Sequence, residues 1–474
     1  MAERRLPASL QEIASCVSGY DPTSLPVEQA KEFIARLVPP VAAVEMLALR
    51  SALGRVLARD IVSGIDVPTH DNSAMDGYAL RGAELIRDAG AGAGAGAGAS
   101  ASADTVLRVA GSGFAGQAFA VAAGRGECVR IMTGAVMPAG LDTVVPQEFV
   151  RVDGDRIHVP AGVVQPGDNR RRAGEDLARG DIALPAGRVL RPADLGLLAS
   201  IGRAEVPVKR RLRVAFFSTG NELRSIGEPL DAGCVYDSNR YTLWAMLVRL
   251  NVELLDLGVV RDDPAALRAA FAQAAASADV VITSGGVSVG EADHTKLVMA
   301  ELGDVLFWRI AMRPGRPMAI GRIGAAGVGV GGGGDSGGAG RDNVDAGSGP
   351  NAGAILFGLP GNPVAVMVTF YALVRDALLA MSGATAQALP MLRAQSAHAI
   401  RKKPGRTEYQ RGVVSRSGSG AGVGGEWQVR VTGSQGSGIL RSMSEANGLV
   451  VLHHAQGDVA PGELVDVLPF DGLI

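Results

Sequence analysis

Arg313 and Arg316 flank a Pro-Gly dipeptide in Met312-Arg-Pro-Gly-Arg-Pro317. Two prolines and a glycine stiffen such a turn, so both guanidinium groups project from a fixed backbone. That suits an oxyanion or phosphate, and the charge is permanent. The competing reading is a surface turn with two solvated arginines. Two carboxylates follow apolar, strand-like runs: Glu222 ends Ser218-Thr-Gly-Asn-Glu222, and Asp262 lies in Arg261-Asp-Asp-Pro264. Asp263, before Pro264, is a good helix cap, which leaves Asp262 freer to act. Thr283-Ser-Gly-Gly-Val-Ser-Val-Gly-Glu-Ala-Asp293 and Leu359-Pro-Gly-Asn-Pro363 are glycine-rich turns, each between a β-type run and a helical one. Such a turn leaves backbone N–H groups unpartnered and aims them at one point, which suits a phosphate.

Two further polar clusters are less specific. His70-Asp-Asn-Ser-Ala-Met-Asp-Gly77 carries carboxylates that would coordinate a metal or orient water, or an Asx-turn satisfying its own backbone. Arg170-Arg-Arg-Ala-Gly-Glu-Asp176 reads by itself as a solvated charge run. His453 and His454 are adjacent on a β-like segment and point to opposite faces, so they do not chelate together. No Walker loop, dinucleotide fingerprint or nucleophile with a recognisable base is present. What remains is a phosphate cradle ringed by carboxylates and arginines, equipment for metal-assisted attack at a phosphate.

The elements that position these groups follow from periodicity. Strands are expected at 213–218, 252–257, 279–283, around 305–310 and 318–320, and at 354–358. Between them run helices capped by Asp237-Ser238 and by Asp263-Pro264, one from about Asp293, and one from Pro363 to Met381 with Asn362 as cap and Gly383 as stop. Alternating strands and helices imply a mostly parallel sheet with its ligand site at the carboxyl ends of the strands. Residues 26–38 carry helical spacing, 45–57 continue in that style, and helical signal returns at 192–200. The expected organisation is a discontinuous helical domain (1–60 with 170–208), a β-rich domain (61–169), the central α/β domain (209–384) and a C-terminal β domain (385–474). Three Gly-rich stretches, 89–103, 324–353 and 415–425, read as insertions without chemistry.

Composition narrows the class. At 474 residues, 47% hydrophobic and 20% charged, the chain reads as globular, and a net charge of −2 argues against a general affinity for nucleic acid or anionic membrane. No apolar stretch is expected to reach the ~20 residues of a membrane span. Cys16, Cys128 and Cys234 show neither metal-ligand spacing nor a disulfide framework, which points to a reducing cytoplasm.

Eight segments together resemble the molybdopterin molybdenumtransferase (MoeA) family, whose eukaryotic relatives include the catalytic E domain of gephyrin. They are Asp71-Asn-Ser-Ala-Met-Asp-Gly-Tyr78, Arg130-Ile-Met-Thr-Gly134, Arg171-Arg-Ala-Gly-Glu-Asp176, Ser218-Thr-Gly-Asn-Glu-Leu223, Ile282 through Asp293, Arg313-Pro-Gly-Arg-Pro317, Leu359-Pro-Gly-Asn-Pro363 and Pro404-Gly-Arg406, in family order. The resemblance implies a central three-layer α/β domain similar to MogA and a barrel-like C-terminal domain. It implies that adenylylated molybdopterin and molybdate give molybdenum cofactor and AMP, with Mg²⁺. It also implies a homodimer whose site lies between the central domain of one chain and the β-rich domain of its partner, with transient contacts to a molybdopterin adenylyltransferase and to recipient molybdoenzymes. Matching functional positions are Asp76, Thr133, Asp176, Glu222, Asp262, Asp293, Pro360 and Pro363. Ser284, Gly285, Gly286 and Ser288, with Gly361 and Asn362 of the second turn, would cradle pterin phosphate or nucleotide. Glu222, Asp262 and Asp293 would hold the metal; Arg313 and Arg316, with Arg406 and Ser442, would bind molybdate. The chain departs from the family pattern in carrying those two arginines where many members have lysines, Asn221 for an acid and Ala365 for a serine. Rival readings are a molybdopterin adenylyltransferase, which has the same central fold without the outer domains, and a non-catalytic scaffold.

Overall fold

A computed structural model describes residues 9–85, 104–287, 294–324, 353–386, 389–417 and 425–472. Its centre is a six-stranded sheet: β1 (Arg213–Thr219), β2 (Glu253–Val260), β3 (Val280–Ser284), β4 (Gly303–Arg309), β5 (Pro317–Ile323) and β6 (Ala354–Leu359). The spatial order is β2-β1-β3-β6-β5-β4, parallel across the first four strands and antiparallel at β6–β5 and β5–β4. β3 and β6 are buried throughout, as apolar and β-branched runs covered on both faces must be.

Helices α1 (Ser238–Arg249), α2 (Pro264–Ser277) and α3 (His294–Leu302) join the strands, and Asp237 and Asp263 each accept the N–H three residues on, capping α1 and α2. The helix after β6, α4, runs Pro363–Met381 with a π-helical turn over Phe370–Val374. By length and composition α4 would cross a membrane, contrary to the expectation that no stretch would. It is instead a packed core helix, with Val364, Val366, Val368, Phe370 and Leu378 buried in the largest cluster.

Residues 10–38 and 44–62 part company. The helices Leu10–Ser15 and Val27–Leu37 join the central core, where Phe33 meets Trp308 edge-on at 5.0 Å and Trp308 Nε1 donates to Tyr20 Oη at 2.8 Å. Residues 45–57, expected to be helical, begin as a strand, Val44–Ala48, followed by a 3₁₀ turn at Leu49–Ala52. The strand pairs antiparallel with Glu205–Lys209, a partner so distant in sequence that local periodicity cannot register it. Together with helix Pro192–Ser200 these segments enclose a separate small core.

The β-rich region carries its own six-stranded sheet. Near the C-terminus, Thr407–Arg416, Trp427–Val431, Leu392–Ser396, Leu464–Pro469 and Gly448–Leu452 pair in a ring that closes between the first and last, a five-stranded barrel.

Candidate functional site

The chain passes from β1 to β2 on one side and to β3 on the other, so its topological switch lies between β1 and β3, where an open α/β sheet offers a crevice. A cleft of ≈ 990 Å³ opens there. Its walls are the β1 loop (Thr219, Gly220, Glu222), the first glycine turn (Ser284, Gly285, Gly286), the second (Pro360, Gly361, Asn362) and Asp262 after β2. The arginine turn, Arg313 to Pro317, reaches the same place because β5 is antiparallel: its amino end lies at the carboxyl end of β6, Ala319 opposite Gly358. Gln435, Gly436 and Ser437, from the barrel region, complete the wall.

Close approach explains the glycines. Gly285 has φ +95° and Gly286 φ +67°; a Cβ would fall inside contact distance of the Thr219 carbonyl oxygen at the first and of Thr295 Oγ1 at the second. Gly361 faces Gly285, whose Cα lies 3.7 Å from the position of a Cβ on Gly361. The two turns therefore touch, and they spend some of the N–H groups expected to await a phosphate. Gly285 N donates to Leu359 O at 3.1 Å, and Val364 N to Ser437 O at 3.0 Å. Asn362 occupies the cap position of α4, but its side chain does not cap; Nδ2 donates to Ser437 Oγ at 3.1 Å and ties the turn to the barrel region.

Glu222 and Asp262 share the cleft, and Asn221 Oδ1 accepts the Asp262 N–H at 3.2 Å, so Asn221 fixes the loop that presents the neighbouring acid. An aspartate would accept this bond equally well. Arg313 and Arg316 are both exposed in the cleft wall. Ser288 and Asp293 lie outside the described residues.

Six expected residues do not line this cleft; one of them, Pro363, opens α4 just behind the wall residue Asn362. Ser442 is 3% exposed, donates to Ile439 O at 2.6 Å and accepts from Arg411 Nε at 2.9 Å, so its hydroxyl is committed to the fold. Arg406 is paired with Glu408 at 2.8 Å. Asp76, Thr133 and Asp176 are exposed on the N-terminal half of the chain. Thr133 donates to Asp76 Oδ1 through both N (2.7 Å) and Oγ1 (2.8 Å), which lowers the carboxyl pKa below its ordinary value.

Three features escaped the sequence reading. Asn239 and Thr219 line the cleft, and Arg411 stands behind it. Thr219 Oγ1 and Asn239 Oδ1 are buried polar atoms in the cleft wall without a protein partner. Among the described residues no group of three His, Cys, Asp or Glu is poised for a metal, so a cation here would draw on Glu222, Asp262 and ligand oxygens.

Comparison with known proteins agrees with this geometry. Residues 25–202 match the MoeA N-terminal region (domain I and II), 215–380 a probable molybdopterin binding domain, and 393–470 the MoeA C-terminal region (domain IV). The chain is 38% identical to the molybdopterin molybdenumtransferase of Haemophilus influenzae, over 95% of this chain and 100% of that one. It is 33% identical to that of Nostoc sp. over 93% of each. A crystal structure of the molybdopterin biosynthesis MoeA protein from Pyrococcus horikoshii superposes with a TM-score of 0.72 at 26% identity, covering 94% of this chain and 100% of that one. With all three regions present and the glycine and arginine turns gathered in one cleft, the chain belongs to the molybdopterin molybdenumtransferase (MoeA) family.

Proposed function

We propose that the cleft takes adenylylated molybdopterin and molybdate and yields molybdenum cofactor and AMP. One observation carries the reading: two glycine turns, two carboxylates and two arginines from five separate segments converge on a single cavity. The glycine turns seat the pterin phosphate, and the second turn lies at the amino end of α4, where backbone N–H groups favour an anion. Arg313 and Arg316 hold the tetrahedral oxyanion substrate by fixed, permanent charge. Glu222 and Asp262 would hold Mg²⁺, a hard cation that takes one or two carboxylates plus phosphate oxygens. When bound, it would neutralise charge on the pyrophosphate that is cleaved. Ala365 in the cleft wall offers no hydroxyl, which leaves the arginines a larger share of oxyanion binding.

Steady AMP release from adenylylated molybdopterin only when molybdate is present is the expected result; release independent of molybdate, or none, would count against the assignment. In that assay Arg316→Ala raises the molybdate KM by about tenfold, the value of one charge-assisted contact, and alters kcat less.

Asp76, Thr133 and Asp176 act in the cleft of a partner chain in this proposal, since they are exposed and absent from the wall of their own. Mixing Asp76→Ala subunits with Asp262→Asn subunits then restores activity, because one of the two sites in each mixed dimer is intact. Mixtures no more active than either parent would reject a shared site.

A further inference from the structure

Asn239 lies on the first turn of α1, 7% exposed, in the wall of the cleft. Its Nδ2 donates to Ser284 Oγ at 2.7 Å and to the Gly361 carbonyl oxygen at 2.6 Å. The carbonyl acceptor fixes which end of the amide is nitrogen, since only an N–H can face it. One side chain thus spends both protons bridging the two glycine turns, which come from strands β3 and β6 and approach each other at Gly285 and Gly361. Oδ1 is buried and has no partner. A buried acceptor left empty costs free energy, so stability is a poor account of an asparagine here; a residue that kept its shape without the amide would avoid that cost. What the amide supplies is a fixed distance between two pieces of backbone.

We propose that Asn239 is a positioning residue that sets the spacing of the two glycine turns and thereby the fit of the phosphate-bearing ligand between them. The inference rests on the cleft being the molybdopterin site, and its test has one arm that does not. The two turns have backbone reporters, Gly285 N–H on Leu359 O and Val364 N–H on Ser437 O. With Asn239 truncated, the turns lose this side-chain bridge and keep the Gly285 bond and the β3–β6 pairing, and both reporters open more often. A displacement of the turns by a fraction of an ångström costs a ligand that contacts both.

The experiment compares Asn239→Ala, the isosteric Asn239→Asp, Ser284→Ala and the Asn239→Ala/Ser284→Ala double variant in the full chain. Amide exchange at Gly285 and Val364 rises in both Asn239 variants, while exchange in the six-stranded sheet of the β-rich region, none of whose strands lines the cleft, is unchanged. Molybdopterin, titrated anaerobically, binds about 10- to 30-fold more weakly to Asn239→Ala and about threefold more weakly to Ser284→Ala. In the double variant the added loss from Ser284→Ala is smaller than in the wild-type background, because part of the Ser284 effect is transmitted through the amide. Asn239→Asp does not rescue binding, since a carboxylate fills the same space but donates nothing to Gly361. Wild-type exchange at both reporters in Asn239→Ala, rescue by Asn239→Asp, or additive losses in the double variant would each overturn the clamp. Failure of the wild-type chain to bind molybdopterin would instead remove the functional reading, with the exchange arm still deciding the clamp.

Discussion

Gly285→Ala abolishes molybdenum insertion, lowering it by at least about 100-fold, the scale of a misplacement near 1 Å at a reacting centre. Two independent strains produce this. Gly285 has φ +95°, a backbone region where a Cβ costs roughly 1–3 kcal/mol. The new Cβ would also sit inside contact distance of the Thr219 carbonyl oxygen, which is backbone at the end of β1 and has no rotamer by which to retreat. Relief requires moving either the first glycine turn or the β1 loop that carries Glu222, and both line the cleft. Gly361→Ala is the control. Its nearest neighbour is Gly285 Cα at 3.7 Å, an ordinary contact, so activity falls less than about tenfold. Steady-state AMP release and molybdopterin titration on the two variants check the contrast. Equal behaviour of the pair would show that steric closeness at Gly285 is unimportant.

Arg411→Met has the second large effect, on the wall that the barrel region contributes. Arg411 is 1% exposed, and no carboxylate pairs with it among the described residues. Its guanidinium donates to the carbonyl oxygens of Ser434 (3.2 Å), Gln435 (3.3 Å) and Gly436 (2.9 Å) and to Ser442 Oγ (2.9 Å). The backbone of Arg411 is held in turn by the Gln435 side chain, whose Oε1 accepts at 2.9 Å and whose Nε2 donates at 3.2 Å. Burial, and then the neighbouring Arg313, push the Arg411 pKa down to about 10, still high enough to keep the charge at neutral pH. This buried cation therefore shapes residues 434–437 and adds positive potential behind the arginine turn.

Methionine fills much of the volume but leaves those acceptors dry, a loss of roughly 2–4 kcal/mol in local stability. Lysine, a point charge unable to fork across several acceptors, recovers less than half. Amide exchange in the barrel strands is the suitable measure, because a multidomain chain does not unfold in one step. Exchange unaltered in Arg411→Met would mean that the loop holds its shape without the guanidinium. The same variant weakens oxyanion binding through the loosened wall at Gln435–Ser437, which kinetics read as a raised molybdate KM.

The sequence by itself determined the strands of the central sheet, the caps at Asp237 and Asp263, both glycine turns and the arginine turn. These are local facts: a β-branched run, a carboxylate three residues before an N–H, and a glycine where no Cβ fits all act over a few residues. Periodicity failed for 45–57, whose strand exists only against residues 205–209. Tertiary structure alone decided which polar groups face the cleft and which are already spent. Ser442 looked available until Arg411, 31 residues away, was found to occupy it. Asn239 gave no signal beyond a place near a helix start, because its two partners lie 45 and 122 residues distant. Arg313 and Arg316 reach the site only because β5 runs antiparallel to β6, a topology that no local pattern encodes. A hydrogen bond depends on the positions of both its ends, and a side chain's own neighbours in sequence specify only one of them.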